Sequence, residues 1–84
     1  MKYVVEISPQ ARKQIKRMPK SEKKTILDKI DSLSNDPRSF GYKKLHYYTE
    51  YFRVRVGNYR IIYTISDRLF LVVIVEATMR RDAY

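Results

Sequence analysis

Residues 51–63 are YFRVRVGNYRIIY, and they set the architecture of this 84-residue chain. Apolar and polar side chains alternate through the first six positions, so one face of a strand is apolar and the other carries Arg53 and Arg55. Gly57-Asn58 is a two-residue turn signal, after which residues 59–66 return as a second strand. The segment therefore predicts a β-hairpin with one apolar and one cationic face.

The N-terminal half predicts a strand and two helices. Residues 2–7 (KYVVEI) are strand formers, and Ser8-Pro9 is a helix-start signal. The first helix is amphipathic and ends at Pro19, and a second opens at Ser21-Glu22 and closes at residues 35–37. The apolar stripes of the two helices are formed by Ala11, Ile15 and Met18 and by Ile26, Leu27, Ile30 and Leu33.

The remaining segments complete one domain over residues 1–84. Residues 38–50 lack periodicity and predict a loop, with a short strand near 44–48. Residues 69–75 (LFLVVIV) are apolar on both faces, which is typical of a central strand, and residues 78–84 form a polar tail. The order β-α-α-β-β-β predicts an α+β fold, in which a two-helix hairpin packs on one face of a mainly antiparallel sheet.

Composition narrows the class of partner. Eighteen Lys and Arg against nine Asp and Glu give a net charge of +9, which favours an anionic partner: nucleic acid, an acidic protein or a membrane surface. Seven of the nine arginines fall in residues 37–84, and seven of the nine lysines in the first half. Because the planar guanidinium suits phosphate, the second half is where chemistry is expected.

Several classes of site are excluded. The chain has no cysteine and one histidine, His46, so thiol nucleophiles and His- or Cys-based zinc sites are ruled out. It has no glycine-rich phosphate loop and no carboxylate pair at a metal-binding spacing, so no cofactor and no metal is expected. No apolar run is long enough to cross a bilayer and the N-terminus lacks a signal-peptide layout, which predicts a cytoplasmic protein without a membrane partner.

Arginines converge on the predicted cationic face. Pairing across the turn brings Arg60 towards Arg53 and Arg55, and Arg80 and Arg81 approach the same patch if they continue the last strand. Such convergence is self-repelling unless an anion occupies it. In the structural alternative the arginines splay into solvent or pair with acidic residues, namely Glu50, Glu76 and Asp82.

Tyrosines accompany these cations. Phe52 and Tyr63 are expected in the core, whereas three other tyrosines in polar contexts suit either base stacking or burial of a protein partner. Those three are Tyr47, Tyr48 and Tyr84. The candidate RNA-binding segment comprises Lys43, Lys44, His46, Tyr47 and Tyr48. Metal-free chemistry at an Arg/Tyr site is best matched by attack of an RNA 2′-hydroxyl on the adjacent phosphodiester, with cations stabilising the developing charge.

The same residues carry a family resemblance. Residues 51–63 resemble the "yRiRvGdyRiiY" core of the RelE/ParE toxin superfamily, and residues 79–84 (MRRDAY) resemble its "HRxDvY" tail. Residues 33–37, Lys44-Leu45 and the helical hairpin extend the likeness over nearly the whole chain. The resemblance implies a RelE-like fold and a toxin of a type II toxin–antitoxin system. RelE-type members cleave mRNA in the ribosomal A site, and ParE-type members poison DNA gyrase.

Within the superfamily, the RelE-type catalytic positions are matched here by Arg53, Arg55, Arg60, Arg80 and Tyr84, with Arg81 a second candidate for the C-terminal arginine. By analogy, Arg60 and the C-terminal arginine hold the scissile phosphate and Tyr84 orients the nucleotide. Some RelE-type members have lysines at the two hairpin positions, one of them the general base. Arginine is a poor proton acceptor, so either catalysis here depends on electrostatics and alignment, or another group, His46 or a tyrosinate near the cations, takes the proton. Met79 stands where many relatives have histidine.

The resemblance thus predicts a metal-independent, ribosome-dependent mRNA endoribonuclease. The alternatives are a ParE-type gyrase inhibitor and a degenerate member that only binds its antitoxin. The expected partners are mRNA, the ribosome and a small antitoxin with an acidic amphipathic helix, which covers the helical hairpin or the basic sheet face in a hetero-oligomer.

Overall fold

The structure is a computed structural model that describes residues 2–38, 42–45 and 48–79, and of residues 45 and 48–50 the backbone alone. The elements in chain order are β1 (Val4–Ile7), α1 (Pro9–Lys16), α2 (Lys20–Asn35), β2 (Lys43–Leu45), β3 (Tyr48–Val56), β4 (Tyr59–Ser66) and β5 (Leu71–Met79). The predicted α+β class, with a helix pair and a mainly antiparallel sheet, is confirmed.

The five strands form one sheet in the order β1-β5-β4-β3-β2. β1 pairs with β5 in parallel, and the other neighbours are antiparallel. β5 is therefore central, as its apolar sequence predicted. The parallel pair arises because α1 and α2 carry the chain from one end of the sheet back to the other before β2 begins.

The bounds of β3 and β5 differ from the sequence-based prediction. β5 begins at Leu71, because Leu69 and Phe70 complete the turn after β4; Leu69 is 66% exposed there. The strand then continues to Met79 through residues that had been assigned to a polar tail. Similarly, β3 begins at Tyr48. At the start of β3 and at the end of β5, cross-strand pairing extends the strand into residues of lower hydrophobicity. A prediction from hydrophobic patterning therefore makes these strands too short.

The core lies between the helices and one face of the sheet. Alternate strand residues such as Val54, Ile61 and Tyr63 pack there against Ile15 and Ile26 of the helices. The predicted core positions Phe52 and Tyr63 are confirmed: Tyr63 is fully buried and Phe52 packs partly buried against the cluster.

One predicted core residue is misplaced. Leu27 had been assigned to the apolar stripe of α2, but it is 41% exposed, because it lies one position beyond the buried Ile26 on the helix surface. Neither helix in the described part of the chain is long and apolar enough to cross a membrane.

Side chains of α1 fasten that helix to an irregularity in β5. The register between β4 and β5 shifts so that Val75 is the extra residue of a bulge. Ser8 accepts a hydrogen bond from the amide of Ala11, as its predicted role at the helix start requires, and its hydroxyl donates to the carbonyl of Val75 at 3.0 Å. The amide of Ala77 donates to Gln14 Oε1 at 2.7 Å. These bonds satisfy backbone groups of β5 beyond the end of β1.

A second set of contacts ties the segment after α2 to the β4–β5 turn. Arg38 makes a bidentate ion pair with Asp67, with N···O distances of 3.0 and 2.7 Å, and the hydroxyl of Tyr3 donates to the same carboxylate. The hydrogen bonds donated by Arg38 and Tyr3 lower the pKa of Asp67 to about 2. The hydrogen bond to Asp67 in turn raises the pKa of Arg38. Nearby, the hydroxyl of Tyr63 donates to the carbonyl of Pro37, and burial raises the pKa of that tyrosine to about 12.

We expect Asp67→Asn to lower the melting temperature by a few degrees at neutral pH, because it breaks the ion pair with Arg38. A carboxylate with a lowered pKa stabilises the fold above its unfolded-state pKa and loses that effect as the pH falls to its folded-state value. The difference in melting temperature from the wild type should therefore shrink between pH 3.8 and about 2. Thermal unfolding across this range measures it.

Asp28→Asn is the matched control, because Asp28 forms an exposed ion pair with Lys24 one helical turn away. A loss at Asp67 no larger than the loss at Asp28, or a difference that does not depend on pH, would contradict the prediction.

Candidate functional site

Three arginines and a lysine share the sheet face that points away from the helices. Arg55 lies directly opposite Arg60 across the β3–β4 hairpin, and Arg53 lies opposite Lys43 of β2. We call this surface, formed by Lys43, Arg53, Arg55 and Arg60, the arginine face. The predicted convergence of the hairpin arginines is confirmed; their role in catalysis stays a prediction.

The turn of the hairpin fixes this arrangement. Val56 pairs with Tyr59, so only Gly57 and Asn58 connect the two strands. Gly57 has a φ of 57°, and Asn58 keeps a negative φ. A positive φ confined to the first central residue is typical of a type II′ turn, whose twist matches that of the strands. The reversed Gly-Asn order is thus suited to a two-residue hairpin.

The arginine face combines exposed and shielded charge. Arg55 is exposed, whereas Arg53 and Arg60 are half-buried and the Nε atom of Arg60 is buried. Ile62 lies on this same face beside Arg53 yet is only 7% exposed, which is expected where long arginine stems cover an apolar neighbour. Like charges directly opposite each other in a strand pair are destabilising in general, and a bound anion relieves such repulsion.

The end of β5 runs beside this face. Thr78 pairs with Arg60, so the chain leaves the sheet next to the arginine pair. Arg80, Arg81 and Tyr84 follow, and they lie outside the described residues. Met79 pairs with Tyr59, whose face of the sheet is the one that the helices cover. Its side chain therefore belongs to the opposite side of the sheet from the arginines.

The candidate RNA-binding segment is described in part. Lys43 and Lys44 are both exposed; Lys43 lies opposite Arg53 and Lys44 opposite Phe52, so successive lysines belong to opposite faces of the sheet. Tyr48 begins β3, and its side chain is not described. His46 and Tyr47 lie outside the described residues, as predictions that the structure does not test.

A tyrosinate is disfavoured at three described tyrosines. The hydroxyl of Tyr59 donates to Glu22 at 2.6 Å, and this bond raises the pKa of Tyr59. The hydrogen bond to Asp67 raises the pKa of Tyr3, and burial raises that of Tyr63. None of these three side chains is therefore suited to accept a proton from a substrate near neutral pH.

A groove on the helical side of the protein was not predicted from the sequence. This helix groove has a volume of about 300 Å³ and lies where α1 and α2 meet the end of β1. Its apolar and basic lining residues are Ile7, Ile15 and Leu27 and Arg12, Lys16 and Lys23. The sequence feature that could have indicated this groove is Leu27. It makes the apolar stripe of α2 one residue wider than the part that the core covers.

A helix pair packed on a five-stranded sheet, with an arginine-rich outer face, defines a RelE-like toxin fold. The family described as ParE toxin of type II toxin-antitoxin systems, parDE, matches residues 5–84. A curated relative from Methanocaldococcus jannaschii, named as toxin RelE1, is 33% identical over 89 residues, covering 100% of this chain and 97% of that protein. The chain therefore belongs to the RelE/ParE superfamily of type II toxins.

Two solved structures support the same assignment. The toxin–antitoxin complex RelBE2 from Mycobacterium tuberculosis matches with a TM-score of 0.85 and 27% identity, over 95% of this chain and 100% of that one. The archaeal RelE–RelB complex from Pyrococcus horikoshii matches with a TM-score of 0.81 and 28% identity, over 95% and 97% of the two chains. The predicted resemblance to this superfamily is confirmed.

If Arg55 and Arg60 repel each other, Arg55→Thr should stabilise the fold. We expect the free energy of unfolding to rise by about 0.2–1 kcal/mol at low salt, since threonine suits a strand and the like-charge pair is removed. The gain should shrink at high salt, because screening weakens the repulsion in the wild type. Urea unfolding at two salt concentrations measures both effects.

Arg68→Thr provides the control, because Arg68 is an exposed arginine of the β4–β5 turn. A loss of stability in Arg55→Thr that salt does not change would show that Arg55 contributes by packing and that repulsion is unimportant.

Proposed function

We propose that this toxin is an mRNA endoribonuclease that acts in the cytoplasm on message bound to the ribosome. The observation that carries the proposal is the direct opposition of Arg55 and Arg60, with Arg53 on the same accessible face. Guanidinium groups bind phosphate oxygens through paired hydrogen bonds, so this face suits a phosphodiester whose negative charge increases during the reaction.

The proposed reaction takes its nucleophile from the RNA. The 2′-oxygen attacks the adjacent phosphorus and the bond from phosphorus to the 5′-oxygen breaks, which leaves a 2′,3′-cyclic phosphate and a 5′-hydroxyl. One proton leaves the 2′-hydroxyl and one is added to the departing 5′-oxygen. Arg53, Arg55 and Arg60 supply the positive charge that a metal ion provides in other nucleases.

The arginines themselves do not transfer these protons. Arginine keeps its proton at any ordinary pH, so Arg53 and Arg55 act through charge and alignment. His46 is the candidate proton acceptor, since it is the chain's one imidazole and lies two positions after Lys44. The C-terminal candidates Arg80 or Arg81 and Tyr84 complete the proposed site beside Arg60.

Arg60→Ala tests the proposal on translating ribosomes. We expect mRNA cleavage, mapped by primer extension, to fall about 100- to 1,000-fold, because a donor aimed at transition-state charge is lost. Arg68→Ala removes an arginine from an exposed turn and should cleave like the wild type. Circular dichroism must show both variants folded.

Full cleavage by Arg60→Ala would overturn the site. Growth arrest by the wild-type protein with intact messages and inhibited DNA gyrase would instead support a gyrase-directed toxin. Absence of toxicity together with antitoxin binding would identify a degenerate member.

We further propose that the toxin is held by a RelB-like antitoxin, since the two compared complexes are of RelE-type toxins with their antitoxins. The helix groove suits one segment of such a partner. Its apolar floor is flanked by exposed cations such as Arg12 and Lys16, and an acidic amphipathic helix would match both features.

Leu27→Asp tests the helix groove. We expect at least a 100-fold loss of affinity for the product of the adjacent small reading frame, because a carboxylate would be buried against the apolar face of the helix. The fold should tolerate the change, since Leu27 is 41% exposed. Titration calorimetry with the purified antitoxin measures the affinity.

Leu69→Asp is the matched control, because it places the same charge at an exposed leucine of the β4–β5 turn. Equal affinity of the two variants for the antitoxin would mean that the helix groove is not part of the interface.

A further inference from the structure

A second groove lies where the hairpin strands separate. The pairing between β3 and β4 ends at Phe52 and Tyr63, whereas β4 continues for three residues to Ser66. The space beside this free stretch of β4 has a volume of about 610 Å³, which lies in the range of small-molecule sites. We call it the edge groove; its lining includes Arg38, Tyr42, Lys44, Phe52, Thr64 and Ser66.

Aromatic rings form one wall of the edge groove. The rings of Tyr42 and Phe52 lie with centroids 5.8 Å apart and planes inclined by 42°. Phe52 in turn packs on the buried Tyr63 at 6.2 Å, which anchors the pair to the core. Tyr42 is half-buried and lies at the outer end of this row of rings, so its ring is held in place by its contact with Phe52. Supported aromatic rings are the surfaces on which unpaired nucleobases stack.

Charged and hydroxyl-bearing residues also line the edge groove, together with the apolar Ile65 and Leu71. Lys44 is exposed and belongs to the same sheet face as Phe52, which is its cross-strand partner. Arg38 borders the groove with its guanidinium fixed by Asp67. Thr64 and Ser66 add hydroxyl groups that can both donate and accept hydrogen bonds. These groups match the parts of a nucleotide. The aromatic ring can stack on the base, the cation can pair with the phosphate, and the hydroxyl groups can form hydrogen bonds with the polar edge of the base.

The edge groove lies where the two sides of the sheet meet: Thr64 and Ser66 belong to the arginine side, whereas Lys44 and Phe52 belong to the helix side. Along β4, Arg60, Thr64 and Ser66 lie on one side of the strand, because β4 itself contains no extra residue and side chains alternate. Arg60 and Thr64 are four residues apart, about 13 Å along the strand. Lys43 and Lys44 link the two surfaces on β2. A single RNA strand that places its scissile phosphate at Arg60 therefore reaches the edge groove within a few nucleotides.

We propose that the edge groove binds an unpaired nucleotide of the RNA that flanks the cleavage site, with its base stacked on Tyr42 and its phosphate paired with Lys44. Thr64 and Ser66 then contact the edge of that base, which makes the groove a determinant of sequence preference. The inference rests on the proposed nuclease function, because it extends the same RNA from the arginine face to the groove at the adjoining edge of the sheet.

Binding of a fluorescent ten-nucleotide single-stranded RNA, followed by anisotropy, tests the groove. Tyr42→Leu should weaken binding roughly 5- to 100-fold, because one stacked base is lost. Tyr42→Phe retains the ring and should bind like the wild type. Lys44→Ala should reduce the slope of log affinity against log salt by about 0.7, the contribution of one phosphate contact on a single strand.

Matched variants separate the groove from general effects. Phe70→Leu removes an exposed ring of the β4–β5 turn, and Lys20→Ala removes an exposed charge of α2. Both should leave RNA affinity unchanged, and thermal unfolding must show every variant folded. Tyr42→Leu binding as tightly as Phe70→Leu, an unchanged salt slope in Lys44→Ala, or no binding by the wild type would each overturn the groove.

Failure of the groove and failure of the nuclease remain distinguishable. If Arg60→Ala abolishes message cleavage while the Tyr42 and Lys44 variants bind and cleave normally, the nuclease stands and the groove is wrong. If the groove variants lose RNA affinity as expected but the wild type cleaves no message on ribosomes, the groove is supported as an RNA site and the nuclease proposal is wrong.

Discussion

The register of the β3–β4 hairpin is the constraint on which the rest of the protein depends. Its two-residue turn pairs Val56 with Tyr59, and from this point every side chain of the two strands is assigned to a face. Val54 and Ile61 enter the core opposite each other, and Arg55 and Arg60 are held together on the accessible side. A slip by one residue would exchange the two sets and bury the arginines, so core formation and site assembly are enforced by the same pairing.

The bulge in β5 determines which face the last residues of that strand occupy. In a regular strand Ile74 and Glu76 would share a face, yet Ile74 is in the core while Glu76 pairs with Ile62 on the accessible side. The extra residue, Val75, makes the change of face possible, and Ser8 satisfies its carbonyl. The first turn of α1 thus stabilises the change of phase that lets β5 end beside Arg60. Ser8 was identifiable as a helix cap, but its link to the bulge requires tertiary structure.

Sequence patterns predicted best where a local rule and the tertiary fold agree. Strict alternation and a turn dipeptide placed Arg53, Arg55 and Arg60 correctly, and Ser8 marked the start of α1. The pattern misplaced Leu27 and the bounds of β5, because burial and pairing there depend on which neighbours arrive from distant parts of the chain. The edge groove could not be predicted for the same reason. Tyr42 and Ser66 line one groove because the pairing between β3 and β4 ends at Phe52 and Tyr63.

The division of cations between the two sides of the sheet has a consequence for inhibition. Apolar residues, two lysines and Arg12 surround the helix groove, while the arginine face lies on the opposite side of the sheet, and the core separates the two surfaces. A partner helix seated in the helix groove would leave Arg55 and Arg60 accessible to a phosphodiester. Neutralisation of the proposed nuclease therefore needs either a second segment of the antitoxin that reaches the arginine face, or enough bulk on the helices to keep the toxin out of the ribosome. The net charge of +9 alone is compatible with a partner on any surface of the protein. The placement of the charges is what leaves these two routes of neutralisation.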